Sequence, residues 1–116
     1  MLKIYGIKNC SSMKKAFDLL NELGLSYAFH DYKKQGIDAD TLNNWLDALG
    51  QDVVLNKKGT TWRKLSETEQ HTALESRANL LTALTTHTSL IKRPILQTKD
   101  GLIAGFDEVL YRQIQQ

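Results

Sequence analysis

The sequence predicts an α/β domain in which a βαβ unit and a later ββα unit enclose a run of short helices. Three observations predict it. Residues 1–32 pass from alternating to helical and back to strand-like patterning. Residues 37–87 carry only helical spacing, broken by caps and turns. Residues 95–116 hold two short apolar runs around Lys99-Asp100-Gly101, then one more helical pattern.

The first strand is Leu2-Lys3-Ile4-Tyr5, where apolar and polar residues alternate. In the first helix Met13, Ala16, Phe17, Leu20 and Leu23 share a face, and Gly24 stands at its C-terminal end. Leu25–Tyr32 is aromatic-rich and reads as a second strand, parallel to the first because a helix joins them. Lys33-Lys34-Gln35-Gly36 then breaks the pattern. Asp38 is suited to cap a helix carrying Leu42, Trp45, Leu46 and Leu49, closed by Gly50. Val53-Val54-Leu55 is a short apolar run, followed by an Asn56–Gly59 turn and a helical turn over Thr60–Leu65. Ser66 with Glu69 fits a capping box for a helix through Ala73 and Leu74. Ser76 caps the next, with Leu80, Leu81 and Leu84 inward. Strand character returns at Ile95–Thr98, and Leu102–Ala104 pairs back across the hairpin turn. Gly105-Phe106-Asp107 ends that strand and starts a last helix showing Leu110, Tyr111 and Ile114 on one face. The expected organisation is one domain over residues 1–116, with a core of about 1–36 and 88–116 and a helical insertion of about 37–87.

Composition narrows the function classes. With 41% hydrophobic and 24% charged residues, the chain has the balance of a soluble globular domain that buries its own core. A net charge of +2 gives no electrostatic reason to expect a nucleic-acid or membrane partner. No apolar run reaches membrane-spanning length, and residues 1–20 show no secretory leader pattern, so the expected location is the cytoplasm. One cysteine excludes a disulfide within the chain. No His, Cys and carboxylate grouping suggests a metal, and His30 reads as a strand residue.

The chemistry-bearing stretch is Gly6-Ile7-Lys8-Asn9-Cys10-Ser11-Ser12-Met13-Lys14-Lys15. Asn9, Ser11 and Ser12 suit a helix start, which puts Cys10 at the first turn. Unpaired N–H groups and the helix dipole there favour an anion, and Lys8, Lys14 and Lys15 add positive charge. A thiol in that setting should have a depressed pKa, and the thiolate is the reactive form.

The element order resembles the thioredoxin-like fold, with helices inserted between its halves. That fold carries a reactive cysteine at the start of the first helix and a cis-proline facing it. Pro94, the only proline, stands directly before the third strand and fits the place. Three motifs extend the likeness: residues 6–16, Leu55-Asn56-Lys57-Lys58-Gly59-Thr60-Thr61-Trp62-Arg63-Lys64-Leu65, and Leu90-Ile91-Lys92-Arg93-Pro94-Ile95. Together they resemble the ArsC/Spx, arsenate reductase-like family, and within it the small bacterial YffB branch.

That resemblance implies a redox-active Cys10 partnered by Arg93, which matches the family arginine before the cis-proline. Two further oxyanion-holding arginines are absent: Asn56 and the Ala104-Gly105-Phe106 stretch stand in their places. One guanidinium in place of three implies weak arsenate reduction. The Spx-type relatives imply a second reading, a non-catalytic regulator bound to RNA polymerase. Their Cys-x-x-Cys switch is interrupted here by Met13. What the resemblance leaves is a monothiol oxidoreductase resolved by an outside thiol, with glutathione as co-substrate. The expected glutathione contacts are Lys8, Asn9, Ser11, Pro94, Gly105, Phe106 and Asp107. Their arrangement resembles the way glutaredoxins hold the γ-glutamyl end.

Overall fold

The computed structural model describes residues 1–115. The chain divides into two compact units, Met1–Gln35 with the chain from Arg93 onward, and Gly36–Lys92.

The first unit is built on a four-stranded sheet in the order β2-β1-β3-β4. β1 (Leu2–Gly6) pairs in parallel with β2 (Tyr27–Asp31) and antiparallel with β3 (Ile95–Thr98), which forms a hairpin with β4 (Gly101–Ala104). Helix α1 (Ser11–Glu22) connects β1 to β2 and lays Met13, Ala16, Leu19 and Leu20 on the sheet. These meet Leu2, Ile4, Leu96 and Tyr111 in one buried cluster. A side chain as enclosed as Leu20 contributes about 1.5–3 kcal/mol by leaving water.

Leu25 does not join β2, for a local reason. It donates its N–H to the Leu20 carbonyl at 3.0 Å, and Gly24 donates to Asn21 at 3.1 Å. With Gly24 at φ +69°, these bonds are the paired closure of a helix C-terminus, and they hold Leu25 to α1. β2 also stops one residue short of expectation. The Asp31 carboxylate accepts from the Lys33 N–H at 2.9 Å, and Gln35 Oε1 accepts from the Asp31 N–H at 3.0 Å. Tyr32 therefore opens a single helical turn, α2 (Tyr32–Gln35).

The second unit is helical: α3 (Ala39–Leu49), α4 (Gln51–Val54), α5 (Thr60–Lys64), α6 (Glu67–Glu75) and α7 (Arg77–Thr86), then a 3₁₀ turn over Thr88–Leu90. Asp38 caps α3 through the Thr41 N–H, and Ser76 caps α7 through that of Asn79. The Ser66–Glu69 capping box closes in both directions. Val53 and Val54 belong to the helical turn α4, while Leu55 forms a single antiparallel bridge with Ile91.

The last helix, α8 (Glu108–Arg112), is only five residues long. Tyr111 is buried as expected, Leu110 is 44% exposed, and Ile114 lies beyond the helix. Of the expected apolar face, Tyr111 is buried and Ile114, past the helix, still packs against the same cluster, while Leu110 does not. The fold is thioredoxin-like, βαβ and ββα, with the helices of the second unit inserted between the halves.

Candidate active site

Cys10 is the N-cap of α1, one position before the first helical turn, with extended backbone at φ −151° and ψ 136°. Where a capping serine or aspartate would accept from the helix N–H groups, the Cys10 sulfur meets those of Ser12 and Met13. Two forces act on the thiol. Desolvation is the largest single one and pushes its pKa up. The Met13 N–H, the Arg93 side chain and the Ser12 N–H together outweigh it, and the thiol lies below its ordinary value. Cys10 is half-buried and opens into a groove of about 310 Å³ lined by Lys8, Asn9, Ser11, Lys14, Phe17 and Asp18.

The positive side chain that acts on the thiol is Arg93, not the lysines of the motif. Lys14 turns to Asp18 at 2.7 Å, and both are well exposed. A solvated pair of that kind is worth little in itself, but it directs the ammonium along the helix. Arg93 also acts on Tyr32. Burial drives the Tyr32 hydroxyl far above the usual phenol range, Tyr5 adds to the rise and Arg93 opposes it.

The Arg93–Pro94 peptide is cis, as expected. Pro94 is buried, and its carbonyl accepts the Gly105 N–H at 2.7 Å. Gly105 sits at φ +77°, a conformation costly for any residue with a Cβ. This bond ties the turn after β4 to the start of β3. Phe106 packs edge-to-face on Tyr111 with ring centroids 5.4 Å apart. Asp107 caps α8, accepting the Leu110 N–H at 3.0 Å. Cys10 and Phe106 both border the buried cluster that holds Leu20 and Tyr111. Lys8, Asn9 and Ser11 thus share the groove with Cys10, and Arg93 reaches the thiol. Pro94 and Gly105 follow through the backbone, while Asp107 is committed at least in part to its cap.

Asn56 belongs to the helical unit, where its Oδ1 accepts the Lys58 N–H at 3.1 Å. It acts there as a turn-forming side chain.

Two neighbours of the site were not expected from sequence. Phe17 lines the groove, stacked on Tyr27 at 5.5 Å and edge-on to Phe29 at 5.1 Å. Its spacing of seven residues from Cys10 was the available signal, since positions two turns apart share a helix face. Tyr32 gave none, because its relation to Arg93 depends on the far end of the chain.

The ArsC family profile matches residues 5–114. The chain belongs to the ArsC family. An uncharacterised protein of Haemophilus influenzae is 37% identical over 112 residues, covering 97% of this chain and 96% of that protein. Among solved structures, the YFFB (PA3664) protein is 38% identical over the whole of both chains, with a TM-score of 0.91. An arsenate reductase (ArsC) related protein from Brucella melitensis is 40% identical, covers 96% of this chain and 91% of its own, and gives 0.73. An arsenate reductase from Vibrio cholerae, 20% identical with a TM-score of 0.81, shares the ArsC fold. Among the described residues of this ArsC-family chain, no three His, Cys, Asp or Glu side chains gather where they could hold a metal. None of its described helices is long and apolar enough to cross a membrane.

Proposed function

We propose that the chain is a glutathione-dependent monothiol oxidoreductase acting through Cys10. The observation that carries this is the single thiol at a helix N-cap, opening on a groove and held toward thiolate by two backbone N–H groups and Arg93. The Cys10 thiolate attacks the glutathione sulfur of a mixed disulfide, forming Cys10–S–S–glutathione and releasing the substrate sulfur as thiolate, which takes up a proton. With one cysteine in the chain, an outside thiol completes the cycle. A second glutathione thiolate attacks the glutathione sulfur of the adduct, giving oxidised glutathione and restoring the Cys10 thiolate. The net reaction is an exchange in which the mixed disulfide and one glutathione thiolate become the substrate thiolate and oxidised glutathione, and the chain ends each cycle unchanged. A reducing, glutathione-rich compartment such as the cytoplasm is the setting this chemistry needs.

In this reading Lys8 or Arg93 meets the glycyl carboxylate, and the middle residue lies along Arg93–Pro94. The γ-glutamyl end reaches Gly105-Phe106-Asp107, where Asp107 faces the ammonium. Asn9 and Ser11 line the approach. Arsenate reduction fits less well, since Arg93 alone supplies the guanidinium that a tetrahedral dianion needs in several copies.

The test is reduction of a glutathionylated peptide by glutathione, with oxidised glutathione as the readout. Wild type should exceed the uncatalysed rate, Cys10→Ser should fall to it, and Arg93→Ala should lie between. Wild type at the uncatalysed rate would refute the reading.

A further inference from the structure

Two strands form the edges of the sheet, and they end it differently. At β2 the Asp31 N–H donates to Gln35 Oε1, and the helical turn α2 follows at once. At β4 the edge reads Gly101-Leu102-Ile103-Ala104, with neither a charged side chain nor a proline. An open row of N–H and C=O groups pairs readily with another chain, so edges are commonly blunted by lysine, proline or a covering segment. β4 has no such residue.

The register shows which backbone groups of β4 are open. β3 and β4 pair Leu96 with Ile103 and Thr98 with Gly101, and the Gly105 N–H continues the ladder to the Pro94 carbonyl. In an antiparallel ladder, pairs that exchange hydrogen bonds alternate with pairs that exchange none. Gly101, Ile103 and Gly105 therefore turn their backbone toward β3, and Leu102 and Ala104 turn theirs outward. Among the described residues no hydrogen bond reaches those outward groups. An apolar patch lies beside them. Leu102, Ile103, Leu110 and Ile114 help line one cavity of about 260 Å³, and Val109, next to Leu110 on α8, is 66% exposed.

We propose that the β4 edge pairs antiparallel with the same edge of a second copy of this chain, about a two-fold axis at Ile103. In that register Leu102 of each copy stands opposite Ala104 of the other, so the outward groups of both residues are satisfied at once. Ile103 meets its own copy on the axis as a pair without hydrogen bonds, the closer kind, where two β-branched apolar side chains stabilise each other. Neighbouring registers serve the edge less well. One centred on Leu102 sets Ala104 against Asp100, whose N–H is already given to Thr98 Oγ1. One centred on Ala104 sets Leu102 against Phe106, beyond the turn at Gly105. Charge permits the pairing too. β4 carries none to oppose its copy, and the Lys99-Asp100 turn that comes to the Asp107 end is neutral in sum. Because Ile103 lies on the axis and shares a cavity with Leu110, a second copy also brings a matching apolar patch, which an extended peptide would not. Such a two-fold contact is self-complementary and closed.

So short an edge buries less than a permanent dimer needs, and association is expected only at high concentration. The test is sedimentation of the full chain over a concentration series reaching about 1 mM, with amide hydrogen exchange followed by NMR at both ends of the series. The average mass should rise toward twice that of the chain. The Leu102 and Ala104 amides should gain protection as concentration rises, and those of β2 should not. Ala104→Pro removes an outward donor and no bond to β3, a place where an edge strand tolerates proline. It should keep the dispersed spectrum of the folded chain and weaken association by about tenfold or more. Leu110→Lys, on the exposed patch, should weaken association without touching the strand, and it decides the matter if the proline variant fails to fold. A wild-type mass that stays at one chain, protection that arises away from β4, or folded variants that associate like wild type would overturn the interface.

Discussion

Met13 lies directly against Gly6: its Sδ stands 2.3 Å from the point where a Cβ on Gly6 would be, and its Cε 2.7 Å. Both residues are buried. The side chain three residues after Cys10 is therefore a packing element that presses α1 onto β1. In the Spx-type relatives that the sequence resembles, this is the position of a second cysteine.

Gly6→Ala should force Met13 out of its place and cost about 1–3 kcal/mol, the usual penalty for overfilling a packed core. Met13→Ala should cost about 2–5 kcal/mol by leaving a cavity. Because the two changes act on one contact, the double variant should be less destabilised than the sum of the singles. Urea unfolding of the four proteins measures this, and strict additivity would mean that the contact is not what couples them.

The Cys10 thiol should titrate below the free-cysteine value of about 8.5, read as alkylation rate against pH. Arg93→Ala should move the midpoint upward, whereas Lys14→Ala should leave it nearly in place, because Lys14 is turned to Asp18. The sign extends to stability. A thiol whose pKa is lower folded than unfolded stabilises the fold above the unfolded pKa, and that contribution is lost as pH falls through the folded value. Cys10→Ser should abolish this part of the pH dependence. A midpoint unmoved by Arg93→Ala would remove Arg93 from the site.

Ser66 and Glu69 close α6 at its start. The Ser66 Oγ accepts the Glu69 N–H at 3.1 Å, and Glu69 Oε1 accepts the Ser66 N–H at 2.9 Å. Ser66→Ala should cost about 0.5–2 kcal/mol. The Ser66 backbone N–H and then its side chain hold the Glu69 carboxyl below its ordinary value. That contribution is present above the unfolded carboxyl pKa and lost as pH falls through the folded one. Thermal melts across the acid range should show a smaller acid loss for Glu69→Gln than for wild type.

What was legible in the sequence was local. Caps at Asp38, Ser66 and Ser76, the Gly24 closure and the βαβ pairing each rest on a few neighbouring residues, and each stands in the structure. The end of β2 was misplaced because Asp31 and Gln35 bind backbone in a way that strand patterning does not signal. The apolar spacing of Leu110, Tyr111 and Ile114 suggested a longer buried face than five helical residues supply. At the site, Cys10 was readable from its turn residues, whereas Arg93, the charge that acts on it, was expected only through the family resemblance. Lysines adjacent in sequence looked closer than Arg93, which arrives from the other half of the unit.

Asp107 offers the sharpest test of how glutathione would be held, because its cap and its charge can be separated. Its Oδ1 accepts the Leu110 N–H at 3.0 Å, a role asparagine can fill and alanine cannot. In stability, Asp107→Asn should therefore lie near wild type, and Asp107→Ala should lose about 0.5–2 kcal/mol. Glutathione binding, expected on the order of millimolar, should rank differently. If the carboxylate meets the γ-glutamyl ammonium, Asp107→Asn loses that charge-assisted contact, worth about 1.5–3 kcal/mol before ordering costs. Asp107→Ala loses the cap as well and should bind weakest. An NMR titration following amides 8–14, 93–95 and 105–108 reads all three proteins. Should Asp107→Asn bind glutathione as wild type does, Asp107 is a helix cap alone, and the γ-glutamyl end must be held elsewhere.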